Sequence, residues 1–316
     1  MSEFLTILKD IILPIFVLVG VGAFLEKRFK LDITTMSKLN FYVFVPALLF
    51  TALVESKLPF DKLALVAGFQ LVLILVLLAL NVGVLKSMSI TGGLAAAFLM
   101  STAFCNSGNF GLPLVQLAFP EDPVSAASYQ AITIMVQNLS TFTIGMIIVA
   151  HGRARIVESL RETLRLPFVY VIAAALILKR FHVPVMESAW LWNPIKFASD
   201  GLVPIALLTL GVQIAKTPKV KHVGLLSLAN FMRLAAAPLV AFALVRLGIL
   251  VGVSGLDGML GRLVVIAAAG PSAVNTVLIS LEYKNEPDFS ASAVFYSTLF
   301  SAIGVAITIF LVRHFM

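Results

Sequence analysis

Two amides, two glycines and a proline lie together in Cys105-Asn106-Ser107-Gly108-Asn109-Phe110-Gly111-Leu112-Pro113, inside a run otherwise apolar enough to span a membrane. Amide side chains offer N–H donors to a carboxylate, and carbonyls to a protonated substrate or a cation. Proline removes a backbone donor and glycine tolerates dihedrals that other residues avoid, so Gly108, Gly111 and Pro113 predict a break in the helix. Lipid cannot hydrogen-bond the freed peptide groups, so such a break persists only where protein or a water-filled cavity covers it. The half-helix that follows turns its N-terminus, with free N–H groups and the positive dipole end, toward that cavity, which favours an anion.

A second stretch, Ala269-Gly270-Pro271-Ser272-Ala273-Val274-Asn275-Thr276, combines the same ingredients far along the chain. Gly270 and Pro271 predict the break; Asn275, Ser272 and Thr276 join Asn106, Ser107 and Asn109 as candidate ligand contacts. Each amide has a bland alternative, capping a loose backbone end. Gln137 and Asn138, with Ser140 and Thr141, make another apolar stretch polar at its middle, as a helix lining the same cavity would be. Arg233, five residues before Pro238, is the basic residue that falls inside an apolar run. Burial in lipid is costly, so it should reach an anionic substrate, pair with a carboxylate or a helix C-terminus, or snorkel to an interface. Asn81, Gln213 and Asn230 read as hydrogen-bond partners between helices.

This is binding chemistry, with no residues in view for making or breaking bonds. The chain has no HExxH, GxSxG or GxxxxGK[ST], no mid-span pair of acids, and no metal-ligand spacing among His151, His182, His222 and His314. No enzyme activity, cofactor or metal is expected. A lone cysteine, Cys105, excludes an intramolecular disulfide.

The elements that must position these residues follow from composition. Of 316 residues 60% are apolar and 12% charged, and the mean hydropathy is +1.03, outside the range of soluble domains. Apolar runs of about 20 residues recur throughout, giving an all-α integral membrane protein with ten expected spans at 10–26, 39–55, 63–86, 93–119, 125–151, 166–181, 195–216, 222–246, 258–282 and 289–314. The first run lacks a small-residue cleavage site and reads as a retained span. The net charge of +7 lies in loops, where membrane orientation explains it better than nucleic-acid binding does. With both termini outside, the inner loops carry 13 Lys/Arg against 9 in the outer segments.

The chain also repeats itself. Leu13-Pro14 matches Leu166-Pro167, Val45-Pro46 matches Val203-Pro204, and Ile144-Gly145 matches Ile303-Gly304, at offsets of 153, 158 and 159 residues. Three matches in one order predict two five-helix repeats, 1–151 and 166–316, joined by a basic cytoplasmic linker at 152–165. Because five is odd, the second copy enters the membrane inverted, which brings broken helices 4 and 9 together near the bilayer centre.

On Asn106-x4-Gly111-x-Pro113, Arg233-x4-Pro238 and Pro271 followed by Glu282-Tyr283 and Pro287-Asp288, the chain resembles the auxin efflux carrier family, over essentially its whole length. That family includes plant PIN-type auxin transporters and bacterial malonate and malate carriers. The resemblance implies crossed, unwound helices 4 and 9, a scaffold of spans 1, 2, 6 and 7, and a transport domain of spans 3–5 and 8–10. It also implies a homodimer and elevator-like alternating access to a carboxylate, with a substrate contact for Asn106. Plant members are apolar at the place of Asn275 and carry a long regulatory loop that is absent here.

The expectation is therefore a secondary transporter of a small organic anion, a mono- or dicarboxylate, in a cytoplasmic membrane, with H⁺ or Na⁺ as a possible coupling ion. The alternatives are a sodium-coupled symporter of the bile-acid-carrier type and a receptor or sensor that binds without moving its ligand.

Overall fold

A computed structural model describes residues 2–56, 58–150, 161, 164, 166–215 and 220–316. The described residues form helices and no strand. In chain order these are α1 (Glu3–Phe29), α2 (Ile33–Glu55), α3 (Phe60–Ser87), α4 (Gly92–Ala103), α5 (Gly111–Ala118), α6 (Pro123–Val149), α7 (Pro167–Arg180), α8 (Ala189–Ile214), α9 (Val223–Leu250), α10 (Met259–Ala268), α11 (Asn275–Glu282) and α12 (Pro287–Phe315). Seven of them, α1, α2, α3, α6, α8, α9 and α12, are long and apolar enough to cross a membrane. The protein is an all-helical, multi-pass membrane protein.

Expected spans 4 and 9 are each divided, into α4 with α5 and α10 with α11. At about 1.5 Å per residue, the 12 and 8 residues of the first pair together reach a bilayer's hydrocarbon thickness, whereas neither half does so alone. The helix at the expected sixth span, α7, has only 14 residues and is not among the seven long enough to cross. The expected basic linker at 152–165 falls, apart from residues 161 and 164, outside the described residues.

Proline and glycine shape the long helices. Wide, π-helical turns at Leu8–Ile12, Asn40–Phe44 and Met232–Ala236 each end two residues before a proline: Pro14, Pro46 and Pro238. The extra residue per turn relieves the clash between the proline ring and the preceding carbonyl, so these helices continue where a tighter one would break. Where α1 crosses α8, a Cβ on Gly22 would lie 2.2 Å from Leu208 O and one on Gly211 would lie 2.0 Å from Val19 O. The two backbones touch there, and only hydrogen fits between them.

Local caps fix the starts. The Asp32 carboxylate opens α2 by accepting from Thr34 N (3.1 Å) and Thr35 N (3.2 Å). Asp122 opens α6 by accepting from Ser125 N (3.1 Å), with Pro123 in the first helical position. Lys179 at the end of α7 donates to Ser56 O (2.7 Å) and Leu58 O (2.8 Å), holding the connection between α2 and α3. The two ends of the chain meet: Phe4 packs edge-on against Phe310, and Glu3 pairs with His314 at 3.9 Å.

Candidate functional site

The two interrupted helices join through a two-bond antiparallel pairing. Asn106 N donates to Pro271 O (2.8 Å) and Ala273 N donates to Phe104 O (3.0 Å), with Cys105 facing Ser272 between them. Four helix ends gather around it: α4 and α10 finish there, α5 and α11 begin there. The backbone groups freed by the breaks are satisfied locally, as burial at membrane depth requires. Ser272 Oγ donates to Ser101 O (2.7 Å), and Ser272 N donates to Ser297 Oγ (3.0 Å). Gly111 N donates to Asn106 O (2.9 Å), closing the turn that starts α5.

Arg233 completes that accounting. Its guanidinium donates to Thr102 O (2.9 Å) in the last turn of α4 and to Ala268 O, the last residue of α10. At 1% exposure it is buried among protein groups and does not line the cavity described next. The geometry thus favours the helix-end role over direct contact with a substrate. Positive charge belongs at helix C-termini, where unpaired carbonyls concentrate partial negative charge.

Beside the pairing lies a cavity of about 430 Å³. Its walls come from the first turns of α2, the 105–109 segment, the middle of α6, the end of α8 and the start of α11. Of the residues expected to contact a ligand, it brings together Asn106, Ser107, Asn109, Gln137, Asn138 and Asn275. Gly108 also faces it, and a Cβ there would meet nothing within 4 Å. Ser272 and Thr276 lie outside the lining: Ser272 braces α4, and Thr276 Oγ1 donates to Ala273 O (2.6 Å) beside its own helix. Gly111, Pro113, Gly270 and Pro271 shape the breaks from behind the cavity wall.

Asn106 is the residue best poised for a ligand. Its Oδ1 accepts from Asn109 N (3.2 Å), which fixes the amide's orientation and leaves Nδ2 as a buried donor with no partner. A buried donor in that state is destabilising by roughly 1–3 kcal/mol, and an incoming acceptor relieves it. Asn109 Oδ1 is engaged by Asn40 Nδ2 (3.0 Å), and Asn275 Nδ2 donates to Asn138 Oδ1 (3.2 Å). Gln130 Nε2 donates to Ser107 O (2.7 Å), and a Cβ on Gly111 would lie 2.6 Å from that nitrogen. Glycine at 111 is therefore what lets Gln130 reach the break.

The sequence reading missed Asn40 and Gln130 and gave Gln213 a different role. Asn40 sits at an expected span boundary, where an amide is unremarkable. Gln130, Gln137 and Thr141 recur at helical spacing along one face of α6, a pattern that was there to be read. Gln213 lines the cavity, and its Oε1, like Asn40 Oδ1 and Gln137 Oε1, is buried without a partner. Among the described lining residues no carboxylate occurs, and the charged one is Lys38, exposed on the first helical turns of α2.

The arrangement can bind a small molecule with an acceptor group against Asn106 and donors against the facing carbonyls. Comparison with known proteins places the chain in a family. The family model described as "Membrane transport protein" matches residues 7–162 and 158–309. The uncharacterized transporter MJ1031 of Methanocaldococcus jannaschii is 20% identical, over 94% of this chain and 96% of its own length. The chain belongs to the membrane transport protein family, that of the auxin efflux carriers, and is a membrane transporter.

Proposed function

We propose that the protein is a secondary transporter of a small organic anion, a mono- or dicarboxylate, bound in the cavity beside the paired helix breaks. One observation carries this reading: Asn106, whose buried Nδ2 has no protein partner, lines a cavity that two helix N-termini approach and from whose described lining carboxylates are missing. A carboxylate there would accept from Asn106 and lie in the field of the positive ends of α5 and α11. Asn275, Asn138 and Gln137 would frame the rest of the molecule, with Ser107 and Asn109 completing the wall.

Transport would proceed by rigid-body movement of spans 3–5 and 8–10 against spans 1, 2, 6 and 7, in ten crossings arranged as two inverted repeats. Lys38, Leu166 and Gln213 line the cavity and lie on the face given to the inner loops, which supports reading this as an inward-open arrangement. A homodimer in a cytoplasmic membrane with both termini outside belongs to the same proposal.

The test is uptake of labelled malonate, malate and indole-3-acetate into proteoliposomes, with and without H⁺ and Na⁺ gradients. Asn106→Ala should lower affinity for the transported acid roughly tenfold to a hundredfold, the worth of one or two charge-assisted hydrogen bonds. Unchanged transport in both Asn106→Ala and Asn275→Ala would sink the site. Saturable binding without flux would identify a receptor instead, and strict Na⁺ dependence a symporter.

A further inference from the structure

The four helix ends at the pairing balance electrically until Arg233 is counted. Each end carries about half an elementary charge, negative at the C-termini of α4 and α10 and positive at the N-termini of α5 and α11. Left bare, the two pairs cancel, and a cavity beside them would have little preference between anion and cation. Arg233 sits only on the negative pair, through Thr102 O and Ala268 O. It is the one charged side chain among the buried described residues, and no carboxylate among those residues pairs with it. Its full charge offsets the two C-terminal ends and leaves the two N-terminal ends, each of an eight-residue helix, unopposed. Asn106, 94% buried and with its Nδ2 unpartnered, lies in the segment that leads into one of those ends.

We infer that Arg233 determines the charge selectivity of the cavity without touching what binds there, by neutralising the two helix C-termini at the crossing. The inference rests on the reading of the cavity as an anion site. It gives Arg233 two separable jobs: its fork holds two carbonyls, and its charge sets the sign of the potential. The exposed Lys38 at the mouth adds positive charge too, but solvent screens it and it is common to every variant below.

The test needs no knowledge of the substrate. The chain has a single cysteine, so Cys105→Ala gives a cysteine-free background, and Val274→Cys then places a thiol on the half-buried cavity wall next to the start of α11. Its reaction rates are measured with three methanethiosulfonates: anionic sulfonatoethyl, cationic trimethylammonioethyl and neutral methyl. Changes in thiolate fraction affect all three alike and drop out of the anion-to-cation ratio. A unit charge about 10 Å away, at an effective dielectric of about 20, alters such rates by roughly an order of magnitude. The ratio with Arg233 present should thus exceed that of free 2-mercaptoethanol by at least about tenfold.

Arg233→Lys and Arg233→Gln both undo the fork, but only the lysine keeps the charge. Lysine should retain most of the bias and glutamine should bring the ratio near that of the free thiol, with the neutral reagent reacting similarly in both. A bias kept in Arg233→Gln overturns the inference, since the charge would lie elsewhere. A bias lost equally in both variants overturns it too, by making Arg233 a strut only. No bias with Arg233 intact, or no reaction with the neutral reagent, removes the charged cavity itself. Failure of malonate, malate or indole-3-acetate uptake alone touches the proposed function and leaves this result standing.

Discussion

Asn106 and Arg233 divide the labour at the crossing, one facing the cavity and the other the protein. Their substitutions should separate in experiment. Asn106→Ala removes an unpartnered donor together with the acceptor of Asn109 N, two effects that offset, so melting in detergent should stay within about 1 kcal/mol of the parent while transport falls. Arg233→Met leaves two buried carbonyls unsatisfied, at roughly 1–3 kcal/mol each, so it should lower the melting midpoint by several degrees before any effect on transport is counted. Thermal unfolding in one detergent, followed side by side for both variants, checks this pair. Gly111→Ala should behave like a site variant, because its Cβ displaces the Gln130 amide that holds the break.

Among the elements, the broken helices were readable from residue type alone, since Gly, Pro and Asn together at mid-span disfavour a continuous helix in lipid. The partners of those breaks were not readable. Arg233 left several roles open because a sequence places it in a span without saying which carbonyls it meets. Asn40 escaped notice because its importance comes from a wide turn ahead of Pro46 that rotates it toward Asn109. The glycine contact between α1 and α8 was equally hidden, since neither Gly22 nor Gly211 stands out among apolar neighbours. Gly211→Val should destabilise by about 1–3 kcal/mol, since its Cβ would meet the backbone of Val19, Gly22 and Ala23 at under 3 Å. Circular dichroism melts would register that loss. The cap on α2 titrates in a defined direction: hydrogen bonds from Thr35 and Thr34 hold the exposed Asp32 carboxyl below its ordinary range. Its support of the helix start is complete above the ordinary carboxylate pKa and is lost as pH falls through the lowered value. The protection of the Thr34 and Thr35 amides, taken as exchange relative to the intrinsic rate at each pH, should therefore fall only in acid, and Asp32→Ala should show low protection at every pH.

For the whole molecule, contact between Phe4 and Phe310 and between Glu3 and His314 puts both chain ends on one face. This agrees with an even number of crossings. In the proposed orientation that face is external, so epitope tags at either end should be labelled by impermeant reagents in intact cells, and a split result would refute it. The repeat offsets anticipated the meeting of 105–113 with 269–276, which is long-range information that composition alone cannot supply. Membrane class was accessible because hydropathy is a sum over many residues, whereas the cavity depends on a few rotated side chains.

The Asn40–Asn109 hydrogen bond has a temporal meaning. In the proposed mechanism Asn40 lies on the scaffold and Asn109 on the segment that would move, so their bond would part each time the carrier reoriented. A net hydrogen bond of about 0.5–1.5 kcal/mol corresponds to a dwell in the inward arrangement longer by roughly two- to tenfold. The latch would act as a clock, and Asn40→Ala should make it run fast: single-molecule fluorescence between scaffold and moving helices should record shorter inward dwells, with outward dwells unchanged.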